Sequence, residues 1–268
     1  MNMTTEFDAA QDCYLGFARP VREMPEVAWN TPIPDAASPY TIRIVRKPDQ
    51  LQLAIDVRYQ AYSEKLQALA SKVRQPGPLD FDHGPVVLLA ENRTTGLAVG
   101  TLRLNTGPSF LDLLGDMDLP ANIVKERTAF VSRMAVTGPV QERQLVRNLM
   151  QKAVFQLCIA KQLNRILLLA VEPRERLFYR CGFSDVFADG ESRHPAFLDG
   201  FPIKALYADT YSMERLWRGE RHPLYDFLFR TFHPEIEVFS SLSSLGHRMN
   251  EPPPPIQETH AADPLWVR

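Results

Sequence analysis

A mixed α/β domain built on a central sheet is the fold class this chain predicts, and three stretches predict it. Tyr40 to Arg46, YTIRIVR, alternates apolar and basic residues with the period of a half-buried strand. From Glu142 the apolar residues Leu145, Leu149, Ala153 and Leu157 recur at every fourth position, beside Val146, Met150, Val154 and Cys158, which is the stripe of a long amphipathic helix ending near Leu163. Arg165 to Val171, RILLLAV, is nearly all apolar between Asn164 and Pro173 and suits a strand buried on both faces.

The composition agrees with a folded domain. Hydrophobic residues are 45% and charged residues 23% of the 268, enough for a full core and ordinary for a folded soluble chain. A net charge of -2 and a pI near 6.3 give no global attraction to nucleic acid or an anionic membrane, so an anionic partner needs a local basic patch. Cys13, Cys158 and Cys181 match neither a disulfide framework nor a metal-ligand spacing, and no metal-ligand cluster is expected. The acidic N-terminus lacks the regions of a signal peptide and no apolar run is long enough for a membrane span, so the expected location is cytoplasmic.

The remaining elements follow in order. Residues 1–39 carry Pro20, Pro25, Pro32, Pro34 and Pro39 without periodicity and read as an irregular arm. After the first strand, Pro48-Asp49 opens a helix that runs to about Ser71 and carries Arg58, Tyr59, Tyr62 and Glu64. PVVLLAE from Pro85, an Asn-Arg-Thr-Thr-Gly turn at 92–96 and LAVGTLRLN form a pair of strands, and AFVSRMAV at 129–136 continues the sheet. Residues 174–181 make a short helix closed by Gly182. The domain core is placed at 40–190, a C-terminal extension packed on it at 191–250, and a tail at 251–268 whose four consecutive prolines favour an extended polyproline segment.

The order of strand, turn, long amphipathic helix, buried strand, short helix and Gly-Phe resembles the acetyl-coenzyme A-binding half of a GNAT domain. The matching stretches are VSRMAV at 131–136, the helix from Glu142, RILLLAV at 165–171 and RLFYRCGF at 176–183, the last similar to the Tyr-x-x-x-Gly-Phe element of GNAT enzymes. Within that superfamily RYQAYSEKL from Arg58, LDFDHG from Leu79, GTLRL from Gly100 and VSRMAV resemble blocks of acyl-homoserine lactone synthases and long-chain N-acyl amino acid synthases. The resemblance spans about residues 41–190.

It implies an α+β mixed sheet and an N-acyltransferase that moves a medium or long acyl group from a pantetheine thioester to an amino acid or similar small amine. Such a reaction needs an anchor for the pantetheine arm, donors for the oxyanion and an acceptor for the ammonium proton. A splayed strand supplies the first two, which assigns Ser132, Met134 and Val136 to the arm. Arg143 and Arg147, one helical turn apart, are placed to face a phosphate. The co-substrate is an acyl-phosphopantetheine thioester, acyl carrier protein or acyl-coenzyme A, with no tightly bound cofactor. TGPVQERQL replaces the glycine-rich loop Gln/Arg-x-x-Gly-x-Gly/Ala, which weakens backbone approach to a pyrophosphate and favours acyl carrier protein as donor and partner.

The resemblance further implies Arg133 beside the reaction centre, orienting a carboxylate or phosphate, and an ion network of Arg58, Arg103 and Asp82; the alternative is a set of ordinary salt bridges. Phe130 stands where the lactone synthases keep a glutamate, a candidate base, so Asp80, Asp82 or a water is left for that role. Phe178 rather than Tyr179 occupies the usual tyrosine slot, and His83 reads as a surface residue. Cys158 and Cys181 read as buried inert thiols. Residues 191–250, rich in aromatics, with His222, Tyr225 and His233, are assigned to an acyl tunnel wall that includes Ala205 and Phe227. Two alternatives remain: an acetyl-coenzyme A-dependent N-acetyltransferase, and a non-catalytic GNAT-fold acyl-binding module.

Overall fold

A computed structural model describes residues 38–64, 67–81, 85–106, 110–111, 114, 117–125, 127–171, 175–195, 200 and 202–239. Seven strands form one sheet: β1 Tyr40–Ile44, β2 Val86–Asn92, β3 Ala98–Asn105, β4 Thr128–Val136, β5 Arg165–Val171, β6 Ser184–Asp185 and β7 Ile203–Asp209. Their order is β1-β2-β3-β4-β5-β7-β6, antiparallel throughout except for the parallel pair β4 and β5.

The β2–β3 hairpin turns at Asn92, whose side-chain oxygen accepts from the N–H groups of Thr94 at 2.9 Å and Thr95 at 3.1 Å, a turn built by the asparagine itself. On one face lie α1 Pro48–Ser63 and α2 Gln67–Lys72. Pro48 starts α1, and Gln50 accepts from the N–H of Lys47 at 3.3 Å to cap it. The single helix expected to Ser71 is therefore two: α1 ends at Ser63 and α2 starts at Gln67. Two shorter helices follow, α3 Pro78–Phe81 and α4 Ala121–Lys125.

The other face is covered by α5 Val140–Ala160, α6 Glu175–Arg180 and α7 Thr210–Gly219. Helix α5 lies tightly over β3 at Gly100, where a Cβ would come within 2.8 Å of Val146. Gly182 ends α6 at φ 85°, and the N–H of Phe183 reaches back to the Phe178 carbonyl at 3.0 Å, a left-handed cap that needs glycine.

Strand β7, which the sequence reading placed in a C-terminal extension, pairs with β5 from Val171↔Ile203 to Arg165↔Asp209 and is integral to the sheet. Asp209 then caps α7, accepting from the N–H of Ser212 at 2.6 Å. Beyond a π-helical turn at Asp226–Arg230, residues 235–237 run beside β1 through Ile42 N–H to Glu235 O, 2.9 Å, and Glu237 N–H to Ile42 O, 2.8 Å. The proline-rich tail and nearly all of the N-terminal arm lie outside the described residues. No helix among the described residues is long and apolar enough to cross a membrane.

Candidate active site

Strands β4 and β5 pair in parallel only over Thr128↔Arg165 to Val131↔Leu168, although β4 continues to Val136 and β5 to Val171. The pair thus opens at its C-terminal end and leaves the facing backbone groups of both strands without a ladder partner.

A β-bulge lies in the same place. The β3–β4 register runs Thr101↔Ala135 and then Arg103↔Ser132, so Arg133 and Met134 stand against the single residue Leu102. Arg133 takes φ 56°, a conformation that a non-glycine residue adopts at a steric cost. The extra residue resets the alternation of faces. Val131, Met134 and Val136 all enter the core under α5, while Phe130 and Ala135 pack on the opposite side. Arg133 is left half-buried at the opening.

On the α1 face a buried ion network backs this bulge. Arg58 Nη1 donates to both Asp80 oxygens at 3.0 and 3.1 Å, and Arg103 Nη1 lies 3.2 Å from Asp80 Oδ1. The three side chains are 2–3% exposed. Arg103 Nε donates to Ser132 Oγ at 3.2 Å, tying the network to β4, and the Gly77 N–H donates to Asp80 Oδ2 at 3.0 Å. Arg58 Nε and Nη2 are buried with no hydrogen-bond partner among the described residues.

Burial alone would raise the Asp80 carboxyl, but Arg58, Arg103 and the Gly77 N–H outweigh it and hold the group below the usual carboxylate range. Burial lowers Arg58 and brings Arg103 down to about 10, partly offset by Asp80 and reinforced by the positive charge of Arg133. Both guanidinium groups remain charged at neutral pH. Asp80 is consequently a structural counter-ion and a poor proton acceptor, which removes it as a candidate base. Asp82 and His83 lie outside the described residues.

Across the sheet is an apolar cavity of about 80 Å³, lined by Val131 and Met134 of β4, Ile166 and Leu168 of β5, and side chains of α5, α6 and α7 that include Phe178 and Trp217. Ala205 and Phe227, the expected tunnel positions, are not among its lining residues. Ala205 packs on the α1 face and Phe227 against His233. Met213, Trp217 and Leu228 contribute instead from the C-terminal region.

The other candidates separate clearly. Ser132, Met134 and Val136 lie on the open half of β4, Ser132 half-buried and the other two buried. Arg143 is half-buried, whereas Arg147 is 3% exposed and donates to Gln144 at 3.2 Å, so the two are not an equivalent exposed pair. Phe130 is buried and stacks on Phe110 with centroids 5.5 Å apart. Tyr179 is turned to the surface, donating to Asp185 at 2.8 Å. His222 stacks on Trp217 at 3.7 Å, and the Tyr225 hydroxyl donates to Glu214 at 3.2 Å. Burial pushes the thiols of Cys158 and Cys181 up to about 12, which makes them inert at neutral pH.

No protein-family model and no curated protein matches the chain. Among solved structures, FeeM, an N-acyl amino acid synthase from uncultured soil microbes, superposes with a TM-score of 0.50 and 15% identity, covering 70% of this chain and 97% of its own. The fold is GNAT-like. BjaI, a CoA-dependent acyl-homoserine lactone synthase with SAM and isopentyl-CoA, gives 0.48 at 17% identity over 69% of this chain and 90% of its own. TofI, in a ternary complex with an inhibitor and MTA, gives 0.48 at 17% identity over 65% and 92%. In this GNAT-like fold, sequence reasoning missed the bulge at Arg133, since left-handed arginine has no sequence signature, and the cavity residues of α7.

Proposed function

We propose that this chain is an N-acyltransferase that moves a medium or long acyl group from a pantetheine thioester to the amine of an amino acid or similar small molecule. The opening between β4 and β5, with cationic side chains on one face and an apolar cavity on the other, carries this reading. A pantetheine arm laid in the opening would pair its amides with the free backbone groups of Ser132 to Val136. The acyl chain would enter the apolar cavity, where each buried methylene contributes about 0.8 kcal/mol.

The acceptor amine attacks the thioester carbonyl, an amide C–N bond forms, and the C–S bond breaks to release the thiolate. Backbone N–H groups of the open half of β4 stabilise the oxyanion. Arg133, with the unpartnered Nε and Nη2 of Arg58 behind it, favours an acceptor that carries a carboxylate. The ammonium proton passes to a water or to Asp82. The first turn of α5 has no glycine pair for a close pyrophosphate, and Arg143 lies on its flank, so acyl carrier protein is the favoured donor and partner.

Phe130, packed in the core where the resembled synthases place an acid, favours a second reading: a GNAT-fold module that binds acyl ligands without turnover. Mass spectrometry of lipid extracts from cells overexpressing the chain separates the two. A new N-acyl product names donor and acceptor together. Its absence, with no turnover of any acyl thioester in vitro, leaves the binding module.

A further inference from the structure

Along one flank of α5 the side chains at successive i+4 steps change character in order: Arg143, Arg147, Gln151, Phe155. Each step advances about 6 Å and rotates by about 40°, so the four follow one gently winding stripe of the helix. Its far end is the apolar cavity, which Gln151, Val154 and Phe155 line from α5. Among the lining residues only Gln151 carries a side-chain amide.

Gln144 donates to Asn148 at 2.9 Å and accepts from Arg147 at 3.2 Å, so these polar neighbours satisfy one another. No hydrogen bond joins the half-buried Gln151 amide to a described residue. A half-buried carboxamide at the edge of an apolar cavity is available to a ligand that carries amides of its own.

We propose that Gln151 is a positioning residue that reads the amide end of the donor's pantetheine arm, at the junction between the polar stripe and the acyl cavity. The assignment rests on the acyltransferase reading above. A phosphopantetheine donor presents phosphate, then two amides, then the thioester and alkyl chain, and along α5 the half-buried Arg143 guanidinium, the Gln151 carboxamide and the apolar cavity side chains follow in the same order. The Gln151 side chain can donate to one amide carbonyl and accept from one amide N–H of such an arm.

Calorimetric binding of three non-reactive thioethers to the full chain tests this: S-octyl-4′-phosphopantetheine, S-octyl-pantetheine and octyl 2-hydroxyethyl sulfide. Gln151→Leu is expected to weaken both pantetheine probes about three- to tenfold, the worth of an ordinary hydrogen bond, and to leave the amide-free sulfide unchanged. Its unfolding temperature should be equal to or above wild type, because the lost amide makes no hydrogen bond to a described residue. Equal weakening of all three probes, no weakening of any, or a lowered unfolding temperature that accounts for the loss would overturn the assignment. Wild-type protein that binds none of the probes would overturn the acyltransferase reading with it.

Discussion

Lys152 and Arg58 are both 2% exposed, yet the protein treats the two cations in opposite ways. Lys152 of α5 directs its ammonium at the carbonyls of Phe227, Leu228 and Thr231, all within 3.1 Å, so three donors meet three acceptors. Burial lowers it to about 8, with Glu235 opposing the shift, and it still carries its charge at neutral pH. Arg58 spends only Nη1, on Asp80, and keeps Nε and Nη2 buried without a described partner. The first arrangement is closed and fastens the C-terminal segment to the core. The second is incomplete and lies behind the strained Arg133 at the strand opening, which is the condition expected of a group that awaits a ligand.

The largest expected effect is on the shared anion. Asp80→Asn leaves Arg58 and Arg103 buried without their counter-charge and should cost about 3 kcal/mol or more in urea unfolding. Because the folded-state Asp80 carboxyl is held below its ordinary value, its contribution is complete above about pH 4 and is lost as pH falls through the folded-state value. The stability gap between wild type and the variant should therefore shrink below pH 4. A gap that is constant across that window would mean the pairing is not electrostatic.

Arg133→Ala should sharpen the comparison from the open side, lowering kcat/KM by about 100-fold with little change in unfolding temperature. Wild-type turnover in this variant would sink the site assignment. Lys152→Met should do the reverse. Losing the donors to three carbonyls is expected to cost about 2 kcal/mol and to lower the melting temperature by about 4–8 °C, while kcat/KM of the folded fraction stays within about twofold. A large catalytic defect without lost stability would show that the closed cluster is functional after all. The smallest effect concerns the donor. Charge reversal at Arg143 should weaken use of acyl carrier protein more than of acyl-pantetheine, and the difference should fade as salt shortens the screening length to roughly 8 Å.

Much of this architecture is legible in the residues because local signals agree with the global fold. RILLLAV, bounded by Asn164 and Pro173, marks β5 at Arg165 to Val171, since so short an apolar run between breaking residues suits a doubly buried strand better than a helix. The four-residue spacing from Leu145 found α5, and the arginines of the network, Arg58 and Arg103, stood in recognisable blocks. Asp80 bridges Arg58 and Arg103, while Asp82, which the sequence reading placed in the network, lies outside the described residues.

Strand β7 was obscured by the long stretch before it, although IKALYAD alternates and Asp209-Thr-Tyr-Ser carries a capping signal. The face of Ala205 follows from β7 pairing, which sets it on the α1 side of the sheet, away from the cavity that Met213, Trp217 and Leu228 line. Arg133 could be named as a site residue, but its bulge and positive φ depend on tertiary register, which no local preference encodes.

The central claim is that the open half of the β4–β5 pair hosts acyl transfer. Its most direct test is a discontinuous assay in which decanoyl acyl carrier protein is mixed with a pool of the common amino acids and the products are resolved by mass spectrometry. The account predicts one or a few N-decanoyl amino acids with wild type and with Lys152→Met, and almost none with Arg133→Ala. No product from wild type with either decanoyl acyl carrier protein or decanoyl-coenzyme A, or equal product from Arg133→Ala, would contradict it.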